Sequence, residues 1–304
     1  MRNIEGMKFS PYLASMEKFK NKIKKADAAI LISHLCASEL KVLLPDLVNM
    51  GFDVVAGGHC HSNIATMLYG VPLLEGAPYL RGYSKVIVNF DTDNKKIVNC
   101  SIEKKKNKAE TKNPKIEKII NKWKENADIV LNEKIGYSEN TVKDDTPELV
   151  NLFLKPWIKS FPQAQIAITN KGSIRQGIPA GDITIATIMG ILPFQNDLVI
   201  FEIRGDELKT FLKETSKAYI YGINLNDNFK LDNGEYLKDN EYYKVITTDF
   251  VYNRGDGFRV CDVSRLILNT YTNFREPIID YLKSLNTSTN DPLDKYLESL
   301  QRYK

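Results

Sequence analysis

Histidine is scarce in this chain, with three among 304 residues, at positions 34, 59 and 61. Cysteine is sparse as well. Its four copies (Cys36, Cys60, Cys100 and Cys261) are widely spaced and form no CxxC pair, so no disulfide framework is expected. No uninterrupted apolar run approaches the ~20 residues that a membrane helix needs, so no membrane span is expected. The opening MRNIEGMKFS lacks the apolar stretch of a signal peptide, and none is expected there. Net charge is only +4, and much of the lysine lies between Lys95 and Lys124, where a solvated linker and helix face account for it. No basic cluster is interleaved with aromatics as in single-strand binding grooves, and nucleic acid is not an expected partner.

What is present is ordinary for a soluble globular protein: 43% hydrophobic and 26% charged residues. The length allows about two domains of ~150 residues each. Between Phe9 and Lys25 the residues Leu13, Met16, Phe19 and Ile23 recur at helical spacing. The short apolar run Ala28–Ser33 reads as a strand buried on both faces. A helix over Glu39–Met50 stops at Gly51, and the strand Asp53–Ala56 runs into Gly57-Gly58. Runs at Val71–Leu74, Val86–Asp91 and Lys96–Ile102 are expected to continue the sheet. This order of elements predicts an α/β layer structure.

The charged segment Glu103–Asn113 (EKKKNKAETKN) has no apolar period and marks a domain boundary. A long helix starts near Pro114 with Ile116, Ile119, Ile120 and Trp123 in one stripe. A second α/β unit follows beyond Tyr137. It has a helix over Pro147–Ile158, broken or kinked near Pro156, and a strand at Gln165–Thr169. A short helix near Ile185–Gly190, a strand at Leu198–Ile203, a helix over Asp206–Glu214 and a strand at Tyr242–Thr248 follow.

His34 comes directly after the first strand, and His59 and His61 after the second. The carboxyl ends of strands in open α/β sheets are where ligands bind. Any one of these histidines is more simply a surface or core residue. Three at strand ends form a pattern suited to Zn²⁺ or Mn²⁺, because neutral imidazole favours such ions. Cys60 is a rival ligand, but in extended backbone it points away from its neighbours and reads as structural. The three histidines cannot form a two-metal hydrolytic site alone, because such sites need carboxylates to bridge and balance the ions. No Asp-x-His or Gly-Asn-His-Asp/Glu block occurs among the 33 residues before His34.

A second constellation follows the strand Gln165–Thr169. In Asn170-Lys171-Gly172-Ser173-Ile174-Arg175, Gly172 relieves the turn, while Asn170 and Arg175 offer an amide and a guanidinium at one strand end. Arginine suits carboxylate or phosphate through its planar fork of donors. Farther on, Asp249 to Phe258 combines aromatics with a Gly-Asp-Gly turn. Its aromatic faces could take a nucleobase and its carboxylate could accept ribose hydroxyls. Phe258 reads instead as a core residue.

These residues resemble the 5′-nucleotidase family. Gly57-Gly58-His59-Cys60-His61 and Ile32-Ser33-His34-Leu35 are similar to two of its metal-ligand blocks. Asn170–Arg175, Ile178-Pro179-Ala180-Gly181-Asp182-Ile183-Thr184, Leu192-Pro193-Phe194 and Thr248 through Phe258 are similar to its C-terminal domain, in the family's order. The resemblance covers residues 7–260. It implies a mixed α/β (α+β) fold with a partial metallophosphoesterase β-sandwich at 1–108, of which only the C-terminal half is present. A linker and connecting helix would follow at 109–135, and a 5′-nucleotidase C-terminal domain at 136–304. It further implies a nucleotide phosphohydrolase with two divalent ions, in which metal-activated water attacks a phosphate ester. His34, His59 and His61 would be metal ligands. Asn170, Gly172 and Arg175 would contact substrate near ribose and phosphate, Phe194 and Phe250 would serve the base, and Asp256 would hold the ribose hydroxyls of a nucleotide or nucleoside. Periplasmic, cell-surface or extracellular localisation is implied.

The departures are definite. The family's catalytic His–Asp pair and first metal-ligand blocks have no counterpart, so no catalytic residue is assigned and the chain reads as N-terminally truncated. Lys143 stands where the family has an arginine, Leu149-Val150-Asn151-Leu152 replaces a Gly-Asn-Leu sequence, and Gln195 replaces a glycine after Phe194. A non-catalytic nucleotide-binding protein and a decayed remnant are the alternatives to the hydrolase reading.

Overall fold

The computed structural model describes residues 6–108 and 110–297. The chain divides into two compact units, Met1–Glu117 and Lys118–Lys304.

In the first unit the expected helix over Phe9–Lys25 is two short ones, α1 (Tyr12–Glu17) and α2 (Lys20–Lys25). Lys18/Lys22 and Lys20/Lys24 place like charges at i, i+4, which works against one continuous helix. Leu13, Met16 and Ile23 pack on the core, whereas Phe19 stays exposed. Next come β1 (Ile30–Ile32), α3 (Ala37–Met50), β2 (Val54–Gly57), β3 (Ile64–Leu68) and β4 (Val71–Glu75). Helix α3 ends as the sequence predicts, with Gly51 left-handed at φ 101° and its N–H donating to the Val48 carbonyl. Its buried face, Leu40, Leu44 and Leu47, packs with Val55 and Leu73 of the sheet. At ~1.5–3 kcal/mol per fully buried leucine, this face is the main stabilising contact of the unit.

The sheet runs β1-β2-β4-β3, with β1, β2 and β4 parallel and β3 antiparallel to β4. The strand expected to be buried on both faces is an edge strand. Ile30 is 59% and Ile32 84% exposed, because within this unit only the face carrying Leu31 is covered. Of the runs expected to continue the sheet, Val71–Leu74 does so within β4, whereas Val86–Asp91 and Lys96–Ile102 form a separate hairpin, β5 (Gly82–Asp91) and β6 (Lys96–Lys106). Helix α4 (Pro114–Leu131) buries none of its residues, so the stripe of Ile116, Ile119, Ile120 and Trp123 is solvent-exposed.

The second unit begins with β7 (Lys134–Ser138), α5 (Pro147–Ser160), β8 (Ile166–Asn170), β9 (Gly181–Thr184), α6 (Ile185–Ile191), β10 (Asp197–Arg204) and α7 (Gly205–Glu214). It continues with β11 (Ala218–Tyr221), β12 (Ile223–Asn224), β13 (Lys230–Leu231), β14 (Tyr242–Thr248), α8 (Asp249–Tyr252), α9 (Val260–Val263), β15 (Ser264–Asn273) and α10 (Glu276–Leu285). Helix α5 runs unbroken through Pro156. The central sheet has the order β11-β8-β14-β10-β15, with β8 and β14 parallel and the other pairs antiparallel. Strand β8 is buried along its whole length and ends at Asn170. Trp157 of α5 is buried and its indole N–H donates to the Phe274 carbonyl at 2.9 Å. Among the described residues, no helix is long and apolar enough to cross a membrane.

Candidate functional site

The parallel pairing of β1 and β2 brings their carboxyl ends side by side, and with them His34 and His59. His34 Nε2 and His59 Nδ1 lie 3.2 Å apart, with ring centroids at 5.0 Å in an edge-on arrangement. Gly57 permits this approach: a Cβ there would stand 2.7 Å from the Leu35 carbonyl oxygen. Gly58 N–H donates to that same oxygen at 2.9 Å. All three histidines are exposed. His61 joins no cluster with the other two. Among the described residues, no group of three or more His, Cys, Asp or Glu side chains could hold a metal ion.

The loop carries a correction to the cysteine reading. Cys36 and Cys60 form a disulfide, with their Cα atoms 5.0 Å apart. Cys60 would point away from its neighbours in extended backbone, but His59 and His61 are left-handed, at φ 63° and 55°. The turned loop delivers Cys60 to Cys36, the N-cap of α3, rather than to an ion. A buried carboxylate, missed from the sequence, braces the same place. Glu75 is 1% exposed and accepts from Ala37 N–H and Ser62 N–H, each at 2.8 Å. Its signal was an acid closing the buried run Val71–Leu74.

In the second unit, Asn170 at the end of β8 is 5% exposed. Its Nδ2 donates to Asp256 Oδ2 at 2.7 Å, while its Oδ1 is buried without a partner. Gly172 sits beneath this bond, since a Cβ there would lie 3.2 Å from Asn170 Nδ2 and 3.5 Å from Asp256 Oδ2. Asp256 is itself left-handed at φ 52°, between Arg254 at 71° and Gly257 at 81°. Strained backbone of this kind persists where the surroundings hold it. Phe250 is 41% exposed, and its ring lies against Gly255, where a Cβ would come within 2.4 Å. The Arg254-Gly255-Asp256-Gly257 turn thus carries Asp256 and supports Phe250 together.

A second contact set joins Arg175 and Phe194. The Arg175 guanidinium stands 5.0 Å from the centroid of the Phe194 ring, a cation–π arrangement. Arg175 N–H donates to the Ile191 carbonyl at 2.9 Å, which ties the Asn170–Arg175 segment to the end of α6. Phe194 is 37% exposed. Phe258 is a core residue as the sequence suggests, 5% exposed and packed on Phe211 at 5.9 Å. Asp249, which opens α8, has its carboxyl pushed up by burial, against a hydrogen bond from Phe250 N–H that pulls it down. A cavity of about 280 Å³, lined by Phe211, Ser216, Lys217, Phe258 and Arg259, meets these residues at Asp256.

The comparisons with known proteins fall on the same segments. Residues 130–262 match the family model of the 5′-nucleotidase C-terminal domain. That segment of the chain carries a 5′-nucleotidase C-terminal domain. Among curated proteins it is 26% identical over 255 residues to the trifunctional nucleotide phosphoesterase protein YfkN of Bacillus subtilis, covering 69% of this chain and 17% of that one. It is 27% identical over 178 residues to protein UshA of Yersinia enterocolitica, covering 54% and 31%. Its fold superposes on the crystal structure of a 5′-nucleotidase precursor from Thermus thermophilus with a TM-score of 0.71 at 20% identity, covering 92% of this chain and 66% of the other. The chain therefore spans less than a third of the length of these two curated relatives. Of the residues singled out, Asn170 and Asp256 are joined by a hydrogen bond within the matched segment, and His34 and His59 lie in contact ahead of it.

Proposed function

We propose that this chain is the nucleotide-recognising part of a nucleotide phosphohydrolase. In this reading Asp256 accepts the ribose hydroxyls and Asn170 offers its amide beside them. Phe250 and Phe194 take the base, Arg175 reaches the phosphate, and Gly172 leaves room for backbone to approach the sugar. The observation that carries it is the unpartnered Asn170 Oδ1 beside a hydrogen-bonded carboxylate. A buried acceptor left unpaired costs ~1–3 kcal/mol, and a ligand hydroxyl or amine recovers that cost.

His34, His59 and His61 are proposed as the chain's metal donors. Two imidazoles in contact, with no third donor gathered among the described residues, do not complete a site for the family's two divalent ions. Such ions, where fully ligated, supply an activated water and charge stabilisation. The donors here fall short of that, and no chemical step is assigned to them. Adenosine 5′-monophosphate titrated into the chain by calorimetry tests the reading, beside a phosphate-release assay with Mn²⁺ or Zn²⁺. Binding without release is the expected result. Absence of binding would overturn nucleotide recognition, and release would overturn the view that the donor set is incomplete. The Cys36–Cys60 disulfide supports an oxidising compartment outside the cytoplasm, because such bonds are rarely maintained within it. Alkylation of unreduced, freshly harvested protein should modify Cys100 and Cys261 alone.

A further inference from the structure

Arg275, immediately ahead of α10, is 7% exposed, and no described carboxylate forms an ion pair with it. Its acceptors are neutral. Nε donates to Asn273 Oδ1 at 2.9 Å, and Nη1 donates to the Leu192 carbonyl at 3.2 Å and lies 3.0 Å from Met189 Sδ. Glu276 acts on it only through space, and burial holds its pKa below the ordinary arginine value. Burying a cation against neutral partners is costly, so the arrangement demands a compensating role.

The contacts indicate that role. Leu192 closes α6 and opens the segment 192–196 that carries Phe194. Arg275 holds the first end of this segment through the Leu192 carbonyl. Its neighbour Phe274 holds the other end, donating its N–H to the Asn196 carbonyl at 3.0 Å. Ile191, one residue earlier, accepts from Arg175 N–H. The Phe274-Arg275 pair thus clamps both ends of the Phe194 loop, next to the attachment point of Arg175. Phe194 is more than one-third exposed, so the direction of its ring depends on the backbone of that loop.

We infer that Arg275 is a positioning residue for base recognition, fixing the Phe194 loop from behind without touching the ligand. This inference rests on the nucleotide reading above and names what determines its selectivity for a base. Calorimetry of the full chain with adenosine 5′-monophosphate and with ribose 5-phosphate tests it, in the wild type, Arg275→Met, Arg275→Lys and Phe194→Ala. Arg275→Met should lose about tenfold in affinity for the nucleotide, a factor within the range of one lost base–aromatic contact, and less than twofold for ribose 5-phosphate. Arg275→Lys, which keeps one donor for Leu192, should recover part of the loss. Arg275→Met combined with Phe194→Ala should bind no worse than Phe194→Ala alone, because both act through one ring.

Equal losses for both ligands, or losses that add in the double variant, would overturn the role of Arg275 and leave nucleotide binding intact. A wild-type chain that binds neither ligand would overturn the nucleotide reading itself, and this inference with it. If Arg275→Met fails to fold, by loss of its circular dichroism spectrum, Arg275→Lys carries the same comparison.

Discussion

Two residues in contact need not be equally replaceable, and Gly255 and Phe250 show why. The ring of Phe250 lies so close to Gly255 that an added methyl would fall 2.4 Å from a ring carbon. Gly255→Ala must therefore displace the ring while leaving its chemistry unchanged. In nucleotide titrations it should lose affinity as Phe250→Ala does, ~1–3 kcal/mol for one stacked base. Retention of wild-type affinity by Gly255→Ala would remove Phe250 from the base site. Asp256 allows a complementary test. If its carboxylate takes the ribose hydroxyls, Asp256→Ala should weaken adenosine 5′-monophosphate and leave the 2′,3′-dideoxy analogue unchanged in the same titration. An equal loss for both would assign Asp256 to the turn alone.

Asp294 governs stability rather than binding. Burial raises its carboxyl, but donors from the Asn140 side chain and the Glu139 and Asn140 N–H groups more than offset this and leave it below the ordinary 3.8. A depressed carboxylate stabilises the fold above its unfolded value, and that contribution is lost as pH falls from about 4 through the folded value. Asp294→Asn should therefore be less stable than wild type at pH 7 by roughly 1.5–3 kcal/mol, the range for hydrogen bonds to a charged group. The difference should narrow below pH 4. A constant gap across pH, followed by thermal denaturation, would contradict the assignment.

At the scale of elements, the sequence was legible where local rules decide. Helix α3 ends at a left-handed glycine because only such a residue turns there without strain, and the spacing of Leu40, Leu44 and Leu47 marks its buried face. The turn after β8 and the Arg254–Gly257 turn, both singled out by their residue types, are joined by the Asn170–Asp256 hydrogen bond. What failed depends on partners distant in sequence. Ile30 and Ile32 look like buried strand residues until the sheet order makes β1 an edge. Cys36 and Cys60 are 24 residues apart, and their spacing carries no sign of pairing. Arg275 acts on Leu192 across 83 residues, beyond the reach of any motif.

The disulfide joins the start of α3 to the loop that bears His59, so its removal should be felt within one unit. Closing a loop of that length stabilises by ~3 kcal/mol in the chain-entropy model. Reduction, or Cys36→Ser with Cys60→Ser, should lower protection from hydrogen exchange over α3 and β2. Protection over β8 and β14 should stay as it was. Uniform loss across both units would show that the bond's influence is not local.

At the scale of the molecule, the features argued above divide unevenly between the two units. The histidine pair, the disulfide and Glu75 lie before Glu117, whereas Asn170, Gly172, Arg175, Phe194, Phe250 and Asp256 lie after Lys118. The second unit also has its own core, with Trp157, Phe153, Phe201 and Phe274 fully buried beside a five-stranded sheet. A unit of this size with its own hydrophobic core is expected to fold alone. A fragment of residues 114–304, which keeps α4 whole, should unfold cooperatively and bind adenosine 5′-monophosphate within about threefold of the full chain, a difference under ~0.7 kcal/mol. The reason is that every contact invoked for the base, the ribose and the loop clamp closes within that unit. If the fragment folds but its affinity falls a hundredfold, the six residues do not suffice, and determinants of binding lie in the histidine-bearing unit as well.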